Sequence, residues 1–357
     1  MVSENHSHFF GKLFYLFVRY LYLTFRSVIT LPYGYFIFKV TGKTPLIAHK
    51  SMIWLFCVTQ GRFSDWISLK ISKKNPPIKL LDNTGVLGDM SDANHLSVVV
   101  SQLEKNGFVV FPSQLPLEMV DRLTEFAKKT PALVRRMDCQ DTSLHVGKTI
   151  YTGGIPTAVR YDYDTADLLN NEVVQTLLAD PSLLRVVQAY LNCQPVADVL
   201  SMWWHTNFSD VPDSEAGQYF HFDMDRFKWL KIFIYLTDVG FDNGPHAFVE
   251  GSHTTGSIPK NILKRGYVRV MDDEIISTYG AKRIHSFTAP KGSIIIEDTR
   301  GFHKGVHVTG DPRLILQLQF SNSLFGTNYK RARMEQISSP AMKKILKLAP
   351  SIYRQYS

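Results

Sequence analysis

GQYFHFDMDRFKWLKIFIYLT, residues 217–237, is the stretch on which the fold turns. Residues 229–237 read as a strand, and so do residues 218–223. In a strand, side chains two apart share a face, so His221 and Asp223 point the same way. Working outward, further strands are expected at 196–207, 245–249, 284–288, 293–297, 303–308 and 313–320. Asn243-Gly244-Pro245 and Lys291-Gly292-Ser293 mark turns between them. Upstream, residues 107–111 read as a strand and 116–129 as a helix with Leu117, Val120, Leu123 and Phe126 on one face. Helices are also expected at 165–179 and at 181–191, the latter with Pro181 in its first turn. Helices followed by alternating strands predict a mostly β, α+β domain, a double-stranded β-helix or jelly roll flanked by helices. Such a fold leaves the function to be argued from its site.

The chemistry lies in three residues and a fourth. A metal held by His221 and Asp223 needs its next ligand from another strand, which requires a long return path, and His303 lies 82 residues beyond His221. Two imidazoles and one carboxylate make the facial triad of non-haem Fe(II) oxygenases, with three positions open. Arg313 follows His303 by ten residues, and its planar guanidinium suits a carboxylate held by two parallel hydrogen bonds. The bland readings are a satisfied strand histidine and a surface salt bridge. His307, four residues beyond His303, is the alternative distal ligand. His253 is expected to secure its loop, His246 and His285 to serve core or surface, and Asp298 to fix a turn. Trp203, Trp204, His205 and Asn207 form a run whose alternate members face inward. Lys231 is a further candidate for the pocket. No Ser/His/Asp set, P-loop or dinucleotide fingerprint competes.

Taken in order, Leu103-Glu104-Lys105-Asn106-Gly107-Phe108-Val109-Val110, the His221-x-Asp223 pair, Gly251-Ser252-His253, the apolar run closed by Asp298, and His303 with Arg313 carry a resemblance. From about Ser97 to Phe325 the chain resembles the phytanoyl-CoA dioxygenase family of Fe(II)/2-oxoglutarate oxygenases. The resemblance implies Fe(II) on His221, Asp223 and His303, 2-oxoglutarate on Arg313, and O2 as oxidant. It places Asn207 or His205 beside the co-substrate, with Lys231 near the pocket. Related halogenases replace the acidic ligand by a small residue, so Asp223 implies hydroxylation. The substrate class stays open between a small metabolite, an acyl-CoA, and a lipid or lipid-linked sugar. The competing reading is a catalytically inactive metal-binding jelly roll serving as a membrane-surface scaffold or sensor.

Charge divides the chain into three. Residues 1–80 carry eleven Lys/Arg against two acids, residues 328–357 seven against Glu335, and the whole chain is +8, so the middle is acidic. The expected units are an N-terminal extension over 1–80, an oxygenase domain over 95–327, and a basic, partly helical C-terminal tail over 328–357. Within residues 9–40, Lys12, Arg19 and Arg26 recur every seven residues among Phe, Tyr and Leu, giving a helix with a thin cationic line that ends before Pro32. The longest uncharged run is too short to span a bilayer, and no cleavage signature follows. Two readings remain: an interfacial helix on an anionic membrane surface, or an aromatic cover on the body or a second subunit. The corresponding location is cytoplasmic, peripheral at the inner face of a membrane. Cys57, Cys139 and Cys193 form no disulfide framework or zinc pattern, in keeping with a reducing interior. No nucleic-acid module is legible, so no nucleic-acid partner is expected.

Overall fold

The computed structural model describes residues 3–135, 145–214, 216–266 and 268–357; Cys139 and the side chain of Lys12 fall outside what is described. Three helices open the chain, α1 (Ser3–Thr41), α2 (Leu46–Thr59) and α3 (Arg62–Lys74). A two-residue pair, β1 (Thr84–Gly85) and β2 (Gly88–Asp89), precedes α4 (Ala93–Asn106), β3 (Phe108–Phe111) and α5 (Leu117–Lys129). Next come β4 (Ala132–Arg135), β5 (His145–Thr149), β6 (Arg160–Asp162), α6 (Thr165–Leu169), α7 (Glu172–Leu178) and α8 (Pro181–Leu191). The strand-rich half holds β7 (Val196–His205), β8 (Trp229–Tyr235), β9 (His246–Val249), β10 (Ile284–Phe287), β11 (Ile294–Glu297), β12 (His303–Gly305) and β13 (Arg313–Ser321). Two short helices, α9 (Lys260–Leu263) and α10 (Asp272–Tyr279), separate β9 from β10, and α11 (Pro340–Leu348) follows β13.

Eight strands form one antiparallel sheet in the order β3-β11-β8-β13-β7-β6-β4-β5, and β10-β9-β12 form a smaller antiparallel sheet. Period-two alternation gives the large sheet two different faces. Leu314, Leu316, Leu318 and Phe320 of β13 join Leu230, Ile232 and Ile234 of β8 and Ile294 and Ile296 of β11 in the main apolar cluster. Helices α5 to α8 supply the other half of that cluster, including Leu123, Val174, Leu177 and Val187. The opposite face presents Trp203, Phe233, Tyr235, Ile295 and Ile315, against which Phe248 and Phe287 of the small sheet pack. The candidate site lies between the two sheets. Side-chain caps start two of these helices: Asp180 accepts from Leu183 N–H at the expected start of α8, and Asn171 accepts from Val173 and Val174 N–H at the start of α7.

The α+β part of the expectation holds, as N-terminal helices and a large antiparallel sheet, but the chain is not mostly β: among the described residues more lie in helices than in strands, and several local expectations need correction as well. The helix expected at 165–179 is broken after Leu169, because Asn171 caps a new start. The strand expected at 218–223 is reduced to single bridges, Phe220 with Val270 and His221 with His303. Helix α1 runs through Pro32 rather than ending before it. A proline in a helix interior costs about 3 kcal/mol, but Pro32 is exposed, and the turns beyond it are held from the other side, where Phe38 and Tyr35 meet the Phe325 ring. The linker expected at 70–79 is helical up to Lys74. The C-terminal segment is no free tail: Met342, Ile345, Ile352, Tyr353 and Tyr356 are buried in the main cluster.

Candidate metal centre

His221 and His303 are partners across a main-chain bridge, each N–H donating to the other's carbonyl at 3.1 and 2.9 Å. Asp223 N–H donates to Thr299 O at 2.8 Å and Gly305 N–H to Gly217 O at 3.0 Å, so the backbone zips the segment carrying His221 and Asp223 onto the one carrying His303. Their rings then lie 4.3 Å apart, centroid to centroid. Asp223 completes the group, with Oδ1 3.8 Å from His221 Nε2 and Oδ2 3.4 Å from His303 Nε2. One ligand atom from each lies within 4.8 Å of the others.

Both rings are oriented for ligation. His221 Nδ1 meets Tyr219 O at 2.9 Å and His303 Nδ1 meets Gly301 O at 3.0 Å. A carbonyl accepts only from N–H, so the proton sits on Nδ1 and the Nε2 lone pair faces the carboxylate side. Burial holds the His221 pKa well below the ordinary imidazole value, helped by neighbouring His303, and brings His303 down to about 4. For Asp223, burial alone would favour protonation, but Lys231 and the two imidazoles outweigh it and keep the carboxylate ionised. Neutral imidazoles beside an ionised carboxylate are the donor set a divalent metal ion requires. Nitrogen and oxygen donors without sulfur fit Fe(II).

The inner face of the large sheet supplies the surroundings. Lys231, in register with Glu297 on β11, reaches Asp223 Oδ2 at 2.5 Å and approaches Asp225 at 3.9 Å. Arg313 and His205 are direct partners on β13 and β7, and Arg313 Nη2 lies 2.9 Å from His205 Nδ1. Arg313 also donates to Gly244 O and stands 6.0 Å from the Tyr235 ring centre. It is 1 % exposed, yet among the described residues it forms no salt bridge to a carboxylate. Near it, Trp203 Nε1, His205 Nε2 and Arg313 Nε find no partner. A buried polar atom left unpaired costs about 1–3 kcal/mol, and a buried charge more. Such a concentration of unused donors around a guanidinium is suited to an anionic ligand.

His246 and Glu297 also belong here, and motif reasoning passed over both. His246 stacks 5.6 Å from His303, and its Nε2 is 2.9 Å from Glu297 Oε2. That separation would suit an ion pair, but the two lack hydrogen-bond alignment, and burial brings His246 to about 3 and raises Glu297 well above its ordinary value. Burial favours the uncharged form of each. Parity was the available signal: His246 has the parity of inward Phe248 on β9, and Glu297 that of Ile295 on β11.

Other candidates are placed elsewhere. Asn207 is exposed in the bend two residues beyond the end of β7, and its strand-mate His205 is the one that reaches Arg313. His307 meets Gln218 Oε1 at 3.2 Å rather than joining the triad. His253 meets Glu104 O at 3.2 Å and secures its loop. Asp298 accepts from Arg300 and from Tyr190 Oη at 2.6 Å, fixing the turn before His303. Arg300 also reaches Asp65 on α3 at 2.8 Å, so the N-terminal helices are keyed into that turn.

Residues 103–314 match the model of the phytanoyl-CoA dioxygenase (PhyH) family. Ectoine dioxygenase of Stutzerimonas stutzeri (strain A1501) is 25% identical over 247 residues, covering 62% of this chain and 75% of that protein. Among solved structures, EctD from S. alaskensis in its apoform is 17% identical, with 72% of this chain and 88% of that chain covered, at a TM-score of 0.46. The α-ketoglutarate-dependent epimerase SnoN from nogalamycin biosynthesis is 16% identical, with 64% and 84% covered, at a TM-score of 0.44. With a family match over more than half its length and the His221, Asp223 and His303 donors assembled, the chain belongs to the phytanoyl-CoA dioxygenase family of Fe(II)/2-oxoglutarate-dependent oxygenases.

Proposed function

We propose that the protein hydroxylates a small-molecule substrate, a lipid or lipid-linked sugar among the candidates, in an Fe(II)- and 2-oxoglutarate-dependent reaction. The two sheets are then the walls of a double-stranded β-helix, and residues 95–327 are its oxygenase unit. When bound, Fe(II), 2-oxoglutarate and O2 supply oxidative decarboxylation, yielding succinate and CO2 while one oxygen atom enters a substrate C–H bond. His221, Asp223 and His303 would hold the metal on one face and leave the opposite side open. The protein's part is position and exclusion of water. The Tyr219 and Gly301 carbonyls fix the imidazole tautomers, and Lys231 holds the Asp223 carboxylate in place.

The observation that carries this reading is Arg313, a buried guanidinium without a carboxylate partner, on the same inner face as the triad's neighbour Lys231. In this reading Arg313 takes the remote carboxylate of 2-oxoglutarate, with unused Trp203 Nε1 and His205 Nε2 beside it. Neutral His205 suits this role; burial first and Arg313 second hold its pKa well down. Asp223, as a third protein ligand, favours hydroxylation of the substrate. The test is anaerobic addition of 2-oxoglutarate to Fe(II)-loaded protein. A visible charge-transfer band is expected in the native chain and is expected to vanish in His303→Ala. Full iron occupancy without such a band, and without succinate release in air, would overturn the reading.

A further inference from the structure

Helix α1 carries two apolar stripes, and the body uses only one. Ser27, Leu31, Gly34 and Phe38, spaced four, three and four apart, form the docked stripe. Ser27 and Leu31 are buried, a Cβ on Gly34 would come within 2.1 Å of Ala48 Cβ on α2, and the Phe38 ring stands 5.6 Å from Phe325. Thr30 Oγ1 to Ser51 Oγ at 2.7 Å and Trp54 Nε1 to Thr24 Oγ1 at 3.2 Å fasten the same side. Tyr22, Phe25, Ile29, Tyr33, Phe36 and Val40 form the second stripe, within about 80° of arc at 3.6 residues per turn. Every one of these six is more than half exposed, from 55% at Ile29 to 70% at Val40.

The stripe is about 27 Å long at 1.5 Å per residue, and contiguous apolar surface of that size marks an interaction site. Its rim is cationic. At 100° per residue Arg19 and Arg26 flank one edge of the stripe and Lys39 the other, and the sequence has no Asp or Glu between Asn5 and Ser64. The Arg26 guanidinium lies 5.9 Å from the Tyr22 ring centre and the Lys39 ammonium 5.6 Å from that of Tyr35, so cations stand directly beside the aromatics. Pairing two such helices from two copies would set basic rim against basic rim with no acid to offset it. Anionic headgroups offer the complementary sign. No helix among the described residues is long and apolar enough to cross a membrane, so the contact is in the plane of the interface.

We propose that the outward face of α1 is a docking surface for the headgroup region of an anionic bilayer, with the aromatic stripe entering the interface and the basic rim on the lipid phosphates. This inference stands on α1 alone and is independent of the reaction at the metal centre. The experiment is cosedimentation of the full chain with vesicles of phosphatidylcholine, with and without phosphatidylglycerol. Binding is expected to be at least about tenfold tighter to the anionic vesicles, and to weaken as salt is raised. Phe25→Ser with Phe36→Ser is expected to abolish sedimentation, and Arg19→Glu with Arg26→Glu to remove the anionic preference, both at an unchanged melting temperature. Equal sedimentation with both vesicle types, or none, overturns the proposal. So does a dimer in solution that Phe25→Ser with Phe36→Ser dissociates, because the face would then belong to a second copy.

Discussion

The two faces of the large sheet are built from the same strands and do opposite things. Outward, β8, β11 and β13 present Leu230, Ile232, Ile234, Ile294, Ile296, Leu314, Leu316 and Leu318, all hydrocarbon and all fully packed. Inward, the same strands present Lys231, half-buried against Asp223, together with Glu297 and Arg313, which are buried with side-chain atoms left unpaired. One face gains stability from burial, at about 25 cal/mol for each Å² of apolar surface. The other keeps the Arg313 guanidinium and other polar groups out of water, which is costly unless a ligand answers them. Stability and chemistry are thus separated by one residue along each strand. The comparison predicts that substitutions on the two faces fail in different assays.

The largest effect belongs to the metal ligands. His303→Ala or Asp223→Ala is expected to lower succinate formation to background and iron content well below one per chain, because two ligands hold the ion poorly. A fully loaded, active His303→Ala protein would move the distal ligand to His307. On the outer face, Leu316→Ala is expected to cost about 2–5 kcal/mol in urea unfolding, while the folded variant still takes up iron normally. Lost iron uptake in the folded variant would show that the faces are not separable.

Arg313 sharpens the contrast further. Arg313→Lys keeps the charge but loses the fork, and 2-oxoglutarate affinity is expected to fall by about 1.5–3 kcal/mol with metal binding retained. Arg313→Met is expected to lose that affinity too, yet to leave the urea midpoint unchanged or raised, since a buried charge lacking a carboxylate partner is removed. A destabilised Arg313→Met chain would mean that the guanidinium is a structural element. The smallest effect is expected behind the outer face, where Asn171→Ala removes the α7 cap at a cost of about 1 kcal/mol. Co-substrate titration should be untouched there.

Most of the strand-rich half was legible because period-two alternation and buried apolar runs both survive into the fold; β7, β8, β11 and β13 each lie within two residues of expectation. Strands β4, β5 and β6 were not, since segments of three to five residues with Arg135, Lys148 and Arg160 carry little periodic signal. The triad was readable from His221, Asp223 and the 82-residue return to His303. The second half of the site was only partly readable. His205 and Asn207 share parity, so alternation could not choose between them; the choice was made by the strand ending at His205. Helix α1 passed Pro32 because tertiary contacts at Gly34, Phe38 and Phe325 override a local preference that sequence reading weighs alone.

The main-chain bridge between His221 and His303 has a consequence for how this scaffold tolerates change. The two imidazoles are aligned by a pair of peptide hydrogen bonds, before any ion arrives and without reference to the chain that joins them. That chain includes β8, β9, β10 and β11, which are bound into the sheets, and an excursion through α9 and α10 that is tied down by the Phe220–Val270 bridge and packs Ile258, Ile262, Leu263 and Ile275 against Phe220, Phe222 and Phe302. Closing a longer excursion costs little: doubling a flexible loop adds about 0.6 kcal/mol. Insertions in the exposed turns of that excursion are therefore expected to leave the ligand geometry fixed, whereas loss of its buried side would loosen Phe220, Phe222 and Phe302, the neighbours of the three ligands.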